Sequence, residues 1–135
     1  MDLIVHQTQG QVPVTVLAID GKLDGSNYHE LIDRVNGLYK SGTRSLLLDL
    51  TNLSYMSSSG VVALHSIAVL LHSGALPNLD NGWAALNAVA EESGGLRKEV
   101  KLLNPQTRVD RTLEISGMKQ FLEVFTDLQT AVNSF

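Results

Sequence analysis

The stretch Leu46 to Leu71, LLLDLTNLSYMSSSGVVALHSIAVLL, decides the fold. It reads as a buried strand, a short polar turn and a long apolar helix. Leu46–Leu50 is apolar except for Asp49, which suits a strand covered on both faces in a mixed or parallel sheet. Thr51–Asn52 makes a turn. Leu53 and Tyr55–Met56 then lead to three serines, Ser57, Ser58 and Ser59, and to Gly60. From Val61 apolar residues recur at helical spacing at Leu64, Ala68 and Leu71, with Val62, Ile67 and Val69 widening the stripe. Serine favours a helix N-cap because its oxygen accepts a bond from an orphan backbone N–H. The serines are therefore expected where strand meets helix, at the edge of the sheet.

Outward from that centre, Leu3–His6 and Val12–Ile19 read as two strands with Gly10 in the turn between them. The turn Gly21-Lys22-Leu23-Asp24 follows. Ser26 or Asn27 is placed to cap a helix whose buried stripe is Leu31, Val35 and Leu38, with Ile32 alongside, and Ser41-Gly42 stops it. On the other side, helix two should end near His72-Ser73-Gly74. Pro77, Asn78, Asp80, Asn81 and Gly82 make a loop. Trp83–Ser93 reads as a short extra helix with Trp83, Leu86, Val89 and Ala90 on one face, closed by Gly94-Gly95. Val100–Leu103 is a strand ended by Asn104-Pro105. Thr107–Ser116 is a helix with Val109 and Leu113 inward and Thr112 a further candidate for that face, and Phe121–Phe125 a short strand. Thr126 and Gln129 have capping-box spacing for a last helix with the stripe Leu128, Ala131, Val132 and Phe135.

The run Asp49-Leu50-Thr51-Asn52-Leu53-Ser54-Tyr55-Met56-Ser57-Ser58-Ser59-Gly60 resembles the signature of STAS domains, the family that includes the anti-sigma factor antagonists. Gly21-Lys22-Leu23-Asp24 is similar to a second family motif, and it lies upstream in the expected order. The C-terminal pattern from Asn104-Pro105 to Phe125 is similar as well, so the resemblance covers about Val12–Leu71 and Val100–Phe135. The first serine of the family's Ser-Ser-Gly is its phosphoacceptor and maps onto Ser58. One position departs: Ser57 stands where the family usually has Asp, which leaves Ser57 and Ser59 open as alternative acceptors. A typical member makes a short turn after helix two, so residues around 75–98 read as an inserted loop and helix. The implied fold is α/β, a STAS-like mixed sheet of four to five strands with helices mainly on one face. The whole chain, 1–135, is expected to form one such domain.

Composition bounds the function. With 44% apolar residues and mixed charge, the chain reads as a soluble globular protein. A formal charge of −4 offers no electrostatic reason for nucleic acid binding. There is no cysteine, hence no disulfide and no thiolate ligand. Neither a signal peptide nor a bilayer-spanning stretch is evident, so a cytoplasmic protein not inserted in the membrane is expected. His6, His29, His65 and His72 have no zinc-like spacing and are expected on the surface or its rim; no metal and no cofactor is expected. There is no G-x-S-x-G elbow and no Walker A loop, and the chain is not expected to be an enzyme.

Two readings of the serines stay open. They cap the helix and do nothing else, or Ser58 is a phosphoacceptor at a helix N-terminus, where phosphate is well tolerated. Asp24 is a solvated turn residue or part of a partner-binding surface with Ser57, Ser58, Ser59 and Gly60. Trp83 anchors the extra helix or a partner. The resemblance implies a regulatory interaction with an anti-sigma factor that is also a serine kinase, the ATP being bound by that partner. Its alternatives are a non-phosphorylated accessory subunit of a lipid-transport ABC system, or a small-ligand or nucleotide-binding STAS domain.

Overall fold

Leucine and valine runs build the centre of the sheet. The structure, a computed structural model, describes residues 1–77 and 96–135. In chain order these form β1 (Asp2–Gln9), β2 (Pro13–Leu23), α1 (Tyr28–Lys40), β3 (Leu46–Asp49), β4 (Leu53–Met56) and α2 (Ser58–Ser73). After the undescribed residues come β5 (Val100–Leu103), α3 (Thr107–Ile115), a 3-10 turn (Met118–Gln120), β6 (Glu123–Phe125) and α4 (Leu128–Asn133). The strands lie in the order β1-β2-β3-β5-β6, with β4 beside the C-terminal end of β2. Among the described strands only the β1–β2 pair is antiparallel.

Successive strand residues point to opposite faces, and the core divides accordingly. Leu17, Ile19, Leu46, Leu48, Val100 and Leu102 pack with α1, α2 and α3. Val14, Val16, Leu47 and Leu103 turn the other way and are covered by Ala131 and Val132 of α4. The helices thus lie mainly on one face. Lys101, on the α4 side and only 5% exposed, donates from Nζ to the Ser134 carbonyl and hydroxyl, each at 2.9 Å. The Phe125 and Phe135 rings lie 5.5 and 5.0 Å from the same nitrogen.

Among the described residues the sheet has six strands where four to five were expected. The added strand is β4. Its residues, expected only to lead from the Thr51–Asn52 turn to the serines, run buried, exposed, exposed, buried, without the alternation of a strand. β2 also runs beyond Ile19 to Leu23. It bends at Gly21, whose φ of +106° favours glycine, and the register to β4 shifts between Gly21 and Lys22.

The expected helix Trp83–Ser93, with Trp83, Leu86, Val89 and Ala90, lies outside the described residues. Near the expected end of the insertion, around residue 98, the chain is docked on the body. Arg97 is already 5% exposed, and its N–H donates to the Phe121 carbonyl at 2.7 Å. His65 is a second correction. It is 7% exposed rather than at the rim, with its ring 5.6 Å from that of Phe121 and no hydrogen bond at either nitrogen. Desolvation holds its pKa below the ordinary 6.5, and the Arg97 charge adds to this. His72 does lie at the surface, with Nδ1 2.9 Å from Glu99 Oε1. Among the described residues no helix is long and apolar enough to cross a membrane, and no cluster of three metal-ligating side chains occurs.

Candidate functional site

The turn from β4 into α2 is docked onto the tip of β2. The Gly21 N–H donates to the Asn52 carbonyl at 3.0 Å, and Ser54 Oγ donates to the Gly21 carbonyl at 3.0 Å. The Ser57 N–H donates to the Leu23 carbonyl at 2.9 Å. Ser57 is the N-cap residue, extended at φ −84° and ψ 179°. Its carbonyl accepts from the N–H groups of Gly60 and Val61, at 3.0 and 3.3 Å. Its hydroxyl makes no capping bond and is buried without a partner. So side-chain capping, the simpler reading of the serines, does not occur at Ser57.

Ser58 is the first residue of α2 and is exposed; Ser59 is half-buried. Gly60 is buried. A Cβ there would overlap Met56 Cγ and lie 3.1 Å from Leu23 Cγ, so this position needs glycine for close packing of the helix start on β2 and β4. Gly60 therefore shapes the turn from behind and offers a partner little surface.

The loop after β2 lies against the serines: a Cβ on Gly25 would stand 3.5 Å from Ser59 Oγ. Asp24 Oδ1 accepts from the Ser26 N–H at 2.9 Å and from the Ser26 hydroxyl. These bonds, the hydroxyl first, hold the Asp24 pKa below its ordinary value, with a smaller contribution from Lys22. Asn27 does not cap α1 with its side chain. Its amide works backwards instead, donating to the Lys22 carbonyl at 2.8 Å and accepting from the Asp24 N–H at 3.0 Å. The structure thus gathers Asp24, Ser57, Ser58, Ser59 and Gly60 at one end of the sheet. Among the described residues, no histidine or carboxylate hydrogen-bonds the hydroxyl of Ser57, Ser58 or Ser59.

Sequence reading missed the neighbours. An open cleft of about 430 Å³ is lined by Lys22, Asp24, Ser54, Tyr55 and Arg108. Beside it, a shallower groove of about 250 Å³ is lined by Ser58, Val61, Thr112, Ile115 and Ser116. Arg108, Thr112 and Ile115 lie at helical three- and four-residue spacing on α3, which packs against β4. Only that spacing was visible in the sequence; nothing in it placed α3 beside the serine turn.

The STAS domain family matches residues 5–74, just over half of the 135-residue chain. Solved structures share the fold. An anti-sigma factor antagonist from Mycobacterium paratuberculosis has a TM-score of 0.67 at 14% identity, covering 98% of this chain and 92% of that one. The unphosphorylated form of the anti-sigma factor antagonist SpoIIAA has a TM-score of 0.60 at 19% identity, covering 98% and 94%. The phosphorylated form of SpoIIAA, a Bacillus cell fate determinant, has a TM-score of 0.57 at 16% identity, covering 98% and 97%. At these identities the likeness is one of fold. No curated protein matches the sequence significantly.

Proposed function

This chain belongs to the STAS domain family, and from that premise we propose that it is a regulatory protein–protein interaction module, an anti-sigma factor antagonist switched by phosphorylation of Ser58. The partner is an anti-sigma factor that is also a serine kinase and holds the ATP. The observation that carries the reading is Ser58 itself, exposed at the first position of a 16-residue helix whose next residues are packed down.

The physical consequences of phosphate at this position differ for fold and for partner. The helix start presents unpaired N–H groups and the positive end of the dipole, so phosphate there is favoured by about 0.3–1 kcal/mol. The fold is therefore not threatened. A docked partner would have to cover about −1.5 to −2 of new charge, which opposes docking by desolvation and repulsion. Asp24, kept ionised by Ser26, adds a like charge on the neighbouring loop. In the transfer, a bond forms from Ser58 Oγ to the γ-phosphorus, the bond to ADP breaks, and the seryl proton leaves to a base on the kinase.

The test is to incubate the protein with its host's kinase-type anti-sigma factor and ATP, then map the modified residue by mass spectrometry. Modification at Ser58 with weakened binding is expected. Ser58→Ala should bind and escape control, and Ser58→Asp should mimic the phosphate only partly, because a carboxylate has less charge and another shape. Modification at Ser57 or Ser59 would move the acceptor. Intact binding with no modification would retire the switch. Ser57 favours that second reading, a non-phosphorylated accessory module of a lipid-transport ABC system, because its neutral, buried hydroxyl supplies none of the charge of the family's Asp.

A further inference from the structure

We infer that the tip of β2 and the exposed side of α3 form a two-part docking strip for a protein segment bearing one acidic and one apolar side chain about 10 Å apart, the rise of seven helical residues from Arg108 to Ile115. This deepens the proposed function and rests on it for the partner's class, a kinase-type anti-sigma factor.

One end of the strip is cationic. Lys22 and Arg108 come from different elements and line the same open cleft. Among the described residues, neither takes part in an ion pair. The third charge there, Asp24, has one carboxylate oxygen engaged by Ser26. Two cations against one carboxylate leave the cleft formally positive, in a chain whose formal net charge is −4. A local field of opposite sign to the whole molecule attracts and orients an acidic group. A carboxylate suits it, because a guanidinium presents a planar fork of donors to both its oxygens.

The other end is apolar. Ile115 is 80% exposed, the most exposed large hydrophobic side chain among the described residues. It borders the shallow groove with Val61 and Ser58. Tyr55, 38% exposed, sits in the cationic cleft. Scattered apolar side chains on a surface need no explanation. Here, however, an arginine, a tyrosine and an isoleucine lie along one helix and its neighbouring strand, and arginine and tyrosine are enriched where binding energy concentrates. A segment in the extended polyproline II conformation advances about 3.1 Å per residue with three residues per turn, so a Glu and a Leu three positions apart share one face about 9 Å apart and would reach both ends. Ser58 lines the apolar groove, so phosphate on it would set a hydrated charge where the leucine must seat. The strip thereby gives the Ser58 switch a contact to break.

The test uses the full-length protein in two arms. In the first, backbone NMR signals are followed during titration with an extended Glu-Xaa-Xaa-Leu peptide and two controls, one with Lys for Glu and one with Ser for Leu. Shifts should concentrate at Lys22, Tyr55, Arg108 and Ile115 with the first peptide and fade with both controls. Equal responses to all three peptides, or a response mapped elsewhere, would overturn the strip. In the second arm, calorimetry measures binding to the host's kinase-type anti-sigma factor. R108E and I115S should each weaken binding about tenfold, and raising salt from about 50 to about 500 mM should shrink the R108E deficit while leaving that of I115S. Anti-sigma factor binding that ignores both substitutions sinks the strip and spares the proposed function. A peptide response at the strip without anti-sigma factor binding does the reverse.

Discussion

The Ser57 hydroxyl is buried at the helix start without a hydrogen bond, although serine there promised a cap. The local pattern could not foresee this, because capping depends on side-chain direction, and here the turn's bonds are made by the Ser57 backbone. A capping serine lost to alanine costs about 1 kcal/mol. An unsatisfied buried hydroxyl is itself a cost of about 1–3 kcal/mol, so Ser57→Ala should leave stability unchanged or raise it. Urea denaturation decides between them, and a loss near 1 kcal/mol would mean the hydroxyl does cap in solution. His65 carries a pH prediction. Its folded pKa lies below the ordinary 6.5, so the unfolded chain binds the proton more readily. Stability should therefore be full above pH 6.5 and fall as the pH drops from there through the folded value. His65→Leu should flatten that part of the wild-type curve; an unchanged slope would assign it to other groups. The clue to His65 was in the sequence. Val61–Leu71 is apolar nearly all round, and such a helix is buried on every side, its lone histidine included.

Elements with continuous apolar runs were legible, and those defined by partnership were not. β3 and β5 were read correctly because strands with three leucines or valines in four residues and two covered faces have few alternatives. β4 was invisible as a strand: four residues, two of them exposed, become one only because β2 bends at Gly21 to meet them. The last helix shows the same limit at its start. Thr126 and Gln129 have capping spacing, yet the cap is Asp127, whose Oδ2 accepts from the Thr130 N–H at 2.9 Å and from its hydroxyl at 2.8 Å. Asp127→Ala should cost about 1 kcal/mol, and Thr126→Ala should cost little. The reverse ranking in thermal unfolding would restore the capping box. Leu64, fully buried in α2, belongs to the legible class, and Leu64→Ala should cost about 2–5 kcal/mol by the same measurement.

Across the whole molecule, β3 and β5 pair residue for residue from Leu46 with Val100 to Asp49 with Leu103, although residues 78–95 separate α2 from that ladder. Replacing 78–95 by a short Gly/Ser turn, with Arg97 retained, should preserve the fold, since each doubling of loop length changes closure by only about 0.6 kcal/mol. A shortened chain that loses its cooperative transition would assign part of that segment to the core. The cleft beside the Ser58 turn escaped the sequence for a different reason: Lys22, Tyr55 and Arg108 meet only after β2, β4 and α3 are assembled. That corner also has a property of its own. From Pro13 to Asp20 β2 is held by β1, and from Thr15 to Ala18 by β3 as well, but among the described strands Gly21–Leu23 pairs with β4 alone. A strand tip secured along one side can peel away while the ladder behind it stays closed. In heavy water, amides of Leu53–Met56 should exchange well before those of Leu46–Leu48, through an opening that leaves the sheet's centre protected. That early opening would loosen the Ser58 turn, which is bonded to the β2 tip through the Ser57 N–H and the Leu23 carbonyl, while the rest of the sheet stays closed.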